Sequence, residues 1–268
     1  MATATFHRVF DLHCHLLPGI DDGPADLDGS VRLANELAAA GVRVVAATPH
    51  CRHDHPLVLP GELAERCAEV AERLREEGIP LEVIPAGEAD LTWAMDASDE
   101  DLKLVSYGQR GHDLLLEVPY IPLTSNFESL LFELTVKGLR LLLAHPERNP
   151  TLRESPERIE ELVHRGALLQ VTATSLARPG RKSRASAVAR HLVRDGIAHV
   201  IASDAHGPAA PDRATLADGV AAAAELVGEA RARWMAEDAP AAVLAGEPLP
   251  PAPDIVPQRR GMLRRLVG

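Results

Sequence analysis

The chain has 268 residues and a formal net charge of −11, with 46% hydrophobic and 25% charged residues. That composition is globular rather than disordered, and so acidic a balance argues against broad nucleic-acid binding, which needs a basic face. Three cysteines (Cys14, Cys51 and Cys67) do not make a disulfide scaffold, and the absence of any apolar run of signal-peptide or membrane-span length leads us to expect a cytoplasmic protein without stable membrane insertion.

Short apolar runs alternate with longer helical patterns along the chain. Residues 9–13 read as a strand. Residues 27–40 read as a helix, with Val31, Ala34, Leu37 and Ala38 on one face and Gly41 as its stop. The β-branched run 42–48 is a buried strand. Residues 61–77 form an acidic amphipathic helix ended by Gly78. Further strands are expected at 81–86, 114–118, 139–144, 167–172 and 199–202. Further helices are expected at 127–137, 156–165, 184–195 and 214–227. The stretch before residue 114 is less regular and more polar. Alternation of this kind gives the α/β class, with a parallel sheet covered by helices. A single uninterrupted series points to a closed or nearly closed barrel. No Gly-x-Gly-x-x-Gly follows the first strand, which weakens a dinucleotide-binding reading. Prolines 248, 250, 251, 253 and 257 precede Arg259, Arg260, Arg264 and Arg265, so we expect one domain over 1–249 and a flexible, basic tail over 250–268.

In a β/α barrel the chemistry sits at the C-terminal ends of the strands. Candidate metal ligands appear at those ends. The first strand runs into Asp11-Leu12-His13-Cys14-His15, with Asp22 shortly after. Residues i and i+2 of a strand share a face, so His13 and His15 can aim at one point while Cys14 turns away. Thr48-Pro49-His50 ends the second strand and Gly87-Glu88 the third. Glu117 closes an apolar run, where an unpartnered carboxylate is costly. Later ends give Ala144-His145-Pro146-Glu147-Arg148 and Ser203-Asp204-Ala205-His206. Imidazole and carboxylate together suit Mn, Fe or Zn. His53 and His55, in the polar loop after His50, could line the same site; His7, His164, His191 and His199 read as structural or solvated. Cys67 and Arg73 have the Cys-x5-Arg spacing of a cysteine phosphatase, but they lie inside an acidic helix pattern, where no free backbone N–H groups exist to cradle phosphate.

These motifs resemble the polymerase and histidinol phosphatase superfamily, and the continuation Leu17-Pro18-Gly19-Ile20-Asp21-Asp22-Gly23 narrows the resemblance to its CpsB/CapC type. The resemblance implies a distorted (β/α)7 barrel with three divalent metals, manganese foremost. It assigns His13, His15, Glu88 and Asp204 to the first metal. Glu88 bridges to a second with Glu117 and His145, and Asp22, His50 and His206 hold the third. It implies that Arg148 grips phosphate, with Arg213 as a second arginine. The implied activity is hydrolysis of phosphotyrosine by metal-activated water, on the tail of a bacterial tyrosine kinase that regulates capsule or exopolysaccharide synthesis. A small-molecule phosphomonoesterase, such as a histidinol-phosphate phosphatase, keeps the same site and changes the substrate. A non-catalytic regulatory module would have lost a ligand, yet all nine positions are filled.

Overall fold

A computed structural model describes residues 8–177, 183–208 and 214–256. Nine short strands form the framework: β1 (Val9–Cys14), β2 (Val42–Ala47), β3 (His50–Cys51), β4 (Glu82–Pro85), β5 (Glu88–Asp90), β6 (Asp113–Glu117), β7 (Arg140–Ala144), β8 (Leu168–Thr172) and β9 (Val200–Ala202). They pair in parallel, in the orders β1-β2-β4 and β3-β5-β6-β7-β8-β9. The two ladders are one barrel with two broken staves. Pro49 has no N–H to give a ladder, so the second stave splits into β2 and β3. The third splits into β4 and β5 around Ala86-Gly87. Backbone bonds from Thr48 N–H to Cys14 O (2.9 Å), Ala86 N–H to Ala47 O (3.1 Å) and Glu88 N–H to Pro49 O (3.0 Å) carry the pairing across both gaps. Asp204 N–H to His13 O and His15 N–H to Ala205 O, both 2.8 Å, close the last stave on the first. The result is the expected distorted (β/α)7 barrel.

Helices wrap the outside: α1 (Leu27–Ala39), α2 (Leu63–Glu76), α3 (Leu91–Asp96), α4 (Asp99–Val105), α5 (Phe127–Val136), α6 (Pro150–Glu154), α7 (Pro156–His164), α8 (Ala173–Ala177), α9 (Arg184–Arg194), α10 (Leu216–Val227), α11 (Glu229–Ala236) and α12 (Asp238–Ala245). The sequence pattern missed α3 and α4. Both are too short to show a period, yet each is locally capped: Asp90 accepts from the Thr92 and Trp93 N–H groups, and Ser98 from Asp101 N–H. Residues 250–256 stay on the body. Trp234 Nε1 donates to Pro250 O (3.1 Å), Arg231 to Pro253 O (3.3 Å), and Val256 N–H to Val227 O (2.9 Å).

Strand alternation sorts the side chains. In β6, Leu114 and Leu116 face the helices and Leu115 faces the axis; in β7, Leu141 and Leu143 face out while Leu142 and Ala144 face in. Glu117 is in phase with Leu115, and Gln170 with the inward Leu168. Both polar groups therefore sit at the upper end of the barrel interior. β1 obeys the same logic after one correction. Asp11 pairs with Val45 but Cys14 with Ala47, so β1 carries an extra residue there. That bulge lets Leu12 fill the interior and still leaves Cys14 in the outer core. The Tyr107 hydroxyl reaches up the barrel to donate to Leu12 O at 2.8 Å.

Candidate metal centre

All nine expected ligands converge above the interior. His13 Nε2 lies 3.3 Å from both Glu88 Oε1 and Asp204 Oδ1. His15 Nε2 is 3.5 Å from Glu88 Oε2. His145 Nε2 is 3.0 Å from Glu88 Oε1. His50 Nδ1 is 2.9 Å from Glu88 Oε2 and 4.0 Å from Glu117 Oε2. Asp22 Oδ1 stands between His206 Nε2 (3.3 Å) and His50 Nε2 (3.6 Å). Three clusters keep their ligand atoms within 4.8 Å of one another: His13, His15 and Glu88; His50, Glu88 and Glu117; and His15, Asp22, His50 and His206. Glu88, fully buried, is the hub of two of them. Proximity lets His15 and His50 each reach two clusters.

The donor set fits divalent cations because its atoms are acceptors. His13 Nδ1 faces Gln170 Oε1 at 3.0 Å, and the same oxygen accepts from His145 N–H at 3.3 Å. An amide oxygen only accepts, so His13 Nδ1 carries a proton, and in the neutral ring Nε2 presents a lone pair. His15 Nδ1 is held by Asp21 at 2.7 Å, and His206 Nδ1 by its neighbour's carbonyl, Asp204 O, at 3.1 Å. Their Nε2 atoms are lone pairs too. The buried His50 Nδ1 and Glu88 Oε2 have no hydrogen-bond partner, although they approach each other. Lone pairs aimed at lone pairs require a cation between them. A multi-metal centre satisfies them.

Without metal, protons are the available cations. Burial disfavours the His13 imidazolium, but Glu88 and Asp204 outweigh it and hold that ring's pKa up at about 10. His50, opposed likewise by burial, is held at about 9 by Glu88, Glu117 and Asp22. The Glu88 carboxyl is driven well below its usual range by His13, His145 and His50 despite its burial. Burial and the nearby Glu88 charge push Glu117 upward.

Two candidate ligands sit on strained backbone. His145 and Asp204 have φ of 37° and 53°, a region non-glycine residues rarely occupy. Each follows a strand end, and the left-handed turn brings the side chain back over the barrel mouth. Arg148, one turn beyond His145, reaches Asp204 Oδ2 at 2.5 Å and the Tyr120 hydroxyl at 2.8 Å. The Tyr120 ring stacks on His145 at 5.2 Å. Tyr120, Arg148 and Asp204, with Asp22, His50, Arg52, Glu117 and His206, line an open polar cavity of about 380 Å³. A larger apolar groove of about 590 Å³ between α5 and α7 carries no such convergence.

The other sequence candidates resolve as follows. Arg213 lies outside the described residues, as does His7. His55 stacks on His50 at 5.3 Å, whereas His53 points away to Asp96. His199 is structural: its Nδ1 accepts from Leu169 N–H at 3.2 Å, and burial together with the Arg231 charge lowers its pKa to about 4. Cys67 is buried in α2, burial pushing its thiol up to about 12, and Arg73 is paired with Asp28 and Glu77. That geometry offers no phosphate loop. Sequence reasoning missed Asp21 and Gln170, which fix ring orientation, and Arg52. An Asp-Asp doublet after His-x-His was a signal for Asp21; a glutamine inside an apolar strand was one for Gln170.

Comparison with known proteins agrees with this geometry. The family model for capsular polysaccharide synthesis, CpsB/CapC, matches residues 9–245. Tyrosine-protein phosphatase YwqE of Bacillus subtilis (strain 168) is 34% identical over 198 residues, covering 74% of this chain and 77% of that protein. Tyrosine-protein phosphatase CpsB of Streptococcus pneumoniae is 27% identical over 203 residues, covering 74% and 83%. A crystal structure from work on YwqE and CpsB, described there as unique metal-dependent tyrosine phosphatases, matches with a TM-score of 0.76 and 29% identity, over 93% of this chain and 100% of that one. The chain belongs to the CpsB/CapC family of capsular polysaccharide synthesis proteins.

Proposed function

We propose that this chain is a metal-dependent protein-tyrosine phosphatase. The observation that carries the reading is the ring of buried lone pairs around Glu88, open to a cavity that Arg148 overhangs. The names of the relatives support the same activity. In this reading His13, His15, Asp22, His50, Glu88, Glu117, His145, Asp204 and His206 hold three divalent ions, manganese being the proposed metal. Such ions supply a nucleophile near neutral pH by acidifying water, and they neutralise phosphoryl charge. Arg148 orients the phosphoryl group through charge-assisted hydrogen bonds. Asp21 and Gln170 keep His15 and His13 in the tautomers that present Nε2 to the centre. A tyrosine phenolate leaves with a pKa of about 10, so departure needs less proton donation than a serine alkoxide would.

The proposed substrate is the phosphotyrosine-bearing tail of a bacterial tyrosine kinase that regulates capsule or exopolysaccharide synthesis, met in the cytoplasm. Among the described residues no helix is long and apolar enough to cross a membrane. The test is phosphate release from a phosphotyrosine peptide and from histidinol phosphate, side by side, by the manganese-loaded protein and by His206→Ala. Faster release from the peptide, lost in the variant with its fold retained, is the expected result. Preference for histidinol phosphate would move the function to small-molecule metabolism, and undiminished turnover in His206→Ala would remove that residue from the site.

A further inference from the structure

Arg52 and Arg148 are the two arginines in the cavity wall, among the described residues, and no lysine joins them. They come from opposite flanks. Arg52 follows β3, Arg148 follows β7, and β5 and β6 lie between those strands in the sheet. Each approaches a different candidate ligand carboxylate, Glu117 for Arg52 and Asp204 for Arg148. The two approaches differ in kind. Arg148 is in close contact with Asp204 at 2.5 Å. Arg52 Nη1 stops 3.5 Å from Glu117 Oε2, well beyond the roughly 2.7–2.9 Å of a formed charge-assisted bond.

Arg52 is nonetheless held in place. Its Nε and Nη2 form a fork on the Asp54 carboxylate at 3.0 and 3.1 Å. That leaves Nη1, whose one close contact is the long one to Glu117 Oε2, and the second hydrogen of Nη2, on a side chain that lines the cavity. The Arg52 side chain is 35% exposed, whereas Glu117 beside it is only 3% exposed. A guanidinium fixed on one edge and only loosely engaged on the other is preorganised for an oxyanion.

We propose that Arg52 is a phosphate-binding residue, donating from Nη1 and Nη2 to non-bridging oxygens of the phosphoryl group from the side opposite Arg148. This rests on the phosphatase reading above and adds a second cationic contact from the chain's described residues. Divalent ions on Glu117 and its neighbours would consume the carboxylate charge that Arg52 otherwise faces. A phosphoryl dianion then becomes its nearest acceptor. Asp54 is the positioning residue.

The experiment separates this role from the alternative, that Arg52 merely balances Glu117. Metal-loaded wild type, Arg52→Gln, Arg52→Lys and Asp54→Asn are titrated with inorganic phosphate by calorimetry, and bound metal is counted by elemental analysis. Arg52→Gln should bind phosphate about 10- to 100-fold more weakly at unchanged metal content, the loss of one to two charge-assisted hydrogen bonds. Arg52→Lys should recover part of the affinity, and Asp54→Asn should lose less. With phosphotyrosine peptide, KM should rise in Arg52→Gln, and kcat should fall if the contact tightens in the transition state. Equal phosphate affinity in wild type and Arg52→Gln, or a loss explained by missing metal, overturns the assignment. A wild type that fails to hydrolyse phosphotyrosine but still binds phosphate through Arg52 refutes the activity and leaves this site standing.

Discussion

The Nε2 atoms of His13 and His15 face each other at 3.3 Å, and in the neutral rings neither has a hydrogen to offer the other. Gln170 and Asp21 have already taken the protons on the far side of each ring. The pair is held together by the strand and is relieved by a cation.

Metal uptake should therefore release protons. In the metal-free protein His13 and His50, held at about 10 and about 9, are charged at neutral pH. A metal must displace those protons, so its affinity should climb as pH rises from 6 toward 9, by up to about tenfold per unit for each proton displaced. Metal-free stability should run the other way. A raised imidazole pKa stabilises the fold fully below the unfolded value near 6.5, and that contribution fades as pH rises through 9 to 10. Calorimetry of manganese binding in buffers of different ionisation enthalpy checks the first claim; a proton count of zero at pH 7 would contradict it.

Gln170→Ala should weaken metal binding about 10- to 100-fold, the usual cost of losing a group that orients a ligand. The substitution frees His13 Nδ1 and leaves His145 N–H without the side-chain oxygen that it shares with His13. Metal titration of the folded variant is the measurement, and wild-type affinity would show that the strand alone orients His13.

Asp21→Ala should cost stability as well as metal. Its carboxylate is fully buried and accepts from His15 Nδ1, from His50 N–H at 3.1 Å and from Gly23 N–H at 3.0 Å. Stranding such donors costs about 1–3 kcal/mol, which lowers the melting temperature by roughly 2–4 °C per kcal/mol for a chain of this size. A thermal melt of the metal-free variant isolates this loss from metal binding.

Gly87→Ala should damage the candidate centre without altering any of its candidate ligands. A Cβ there would lie 2.4 Å from Cys51 Sγ and 3.0 Å from Val105 Cβ. The backbone next to Glu88 must shift, at a cost of about 1–3 kcal/mol. Adding Cys51→Ala should restore part of the stability, so the two changes will be non-additive. Denaturant titration of the four proteins in that cycle measures the coupling.

Cys67→Ala should keep wild-type turnover on phosphotyrosine and lose little stability. The residue is 3% exposed, packs in the outer core and is not among the residues that line the cavity. Loss of activity with metal content intact would revive cysteine chemistry.

Much of this molecule was legible in the chain itself. The 2-residue and 3.6-residue periods placed seven staves and the long helices, and Gly41 and Gly78 marked where the first two helices stop. The candidate ligands stood out as a set, because six strand ends each carry a His, Glu or Asp, although any one of them alone would read as an ordinary polar rim residue. What the sequence could not carry was relation at a distance. The break of the second and third staves depends on how Pro49 and Gly87 meet their neighbours across the barrel. Short capped helices such as α3 and α4 have no period to detect. The roles of Gln170, 157 positions from His13, and of Arg52, 65 positions from Glu117, exist only once the barrel closes. Local residue type determined which atoms could bind metal. Tertiary structure decided which nitrogen of each ring faces the centre and where an arginine keeps one edge only loosely engaged, because proton placement and side-chain direction are set by the partners that the closed barrel brings within reach.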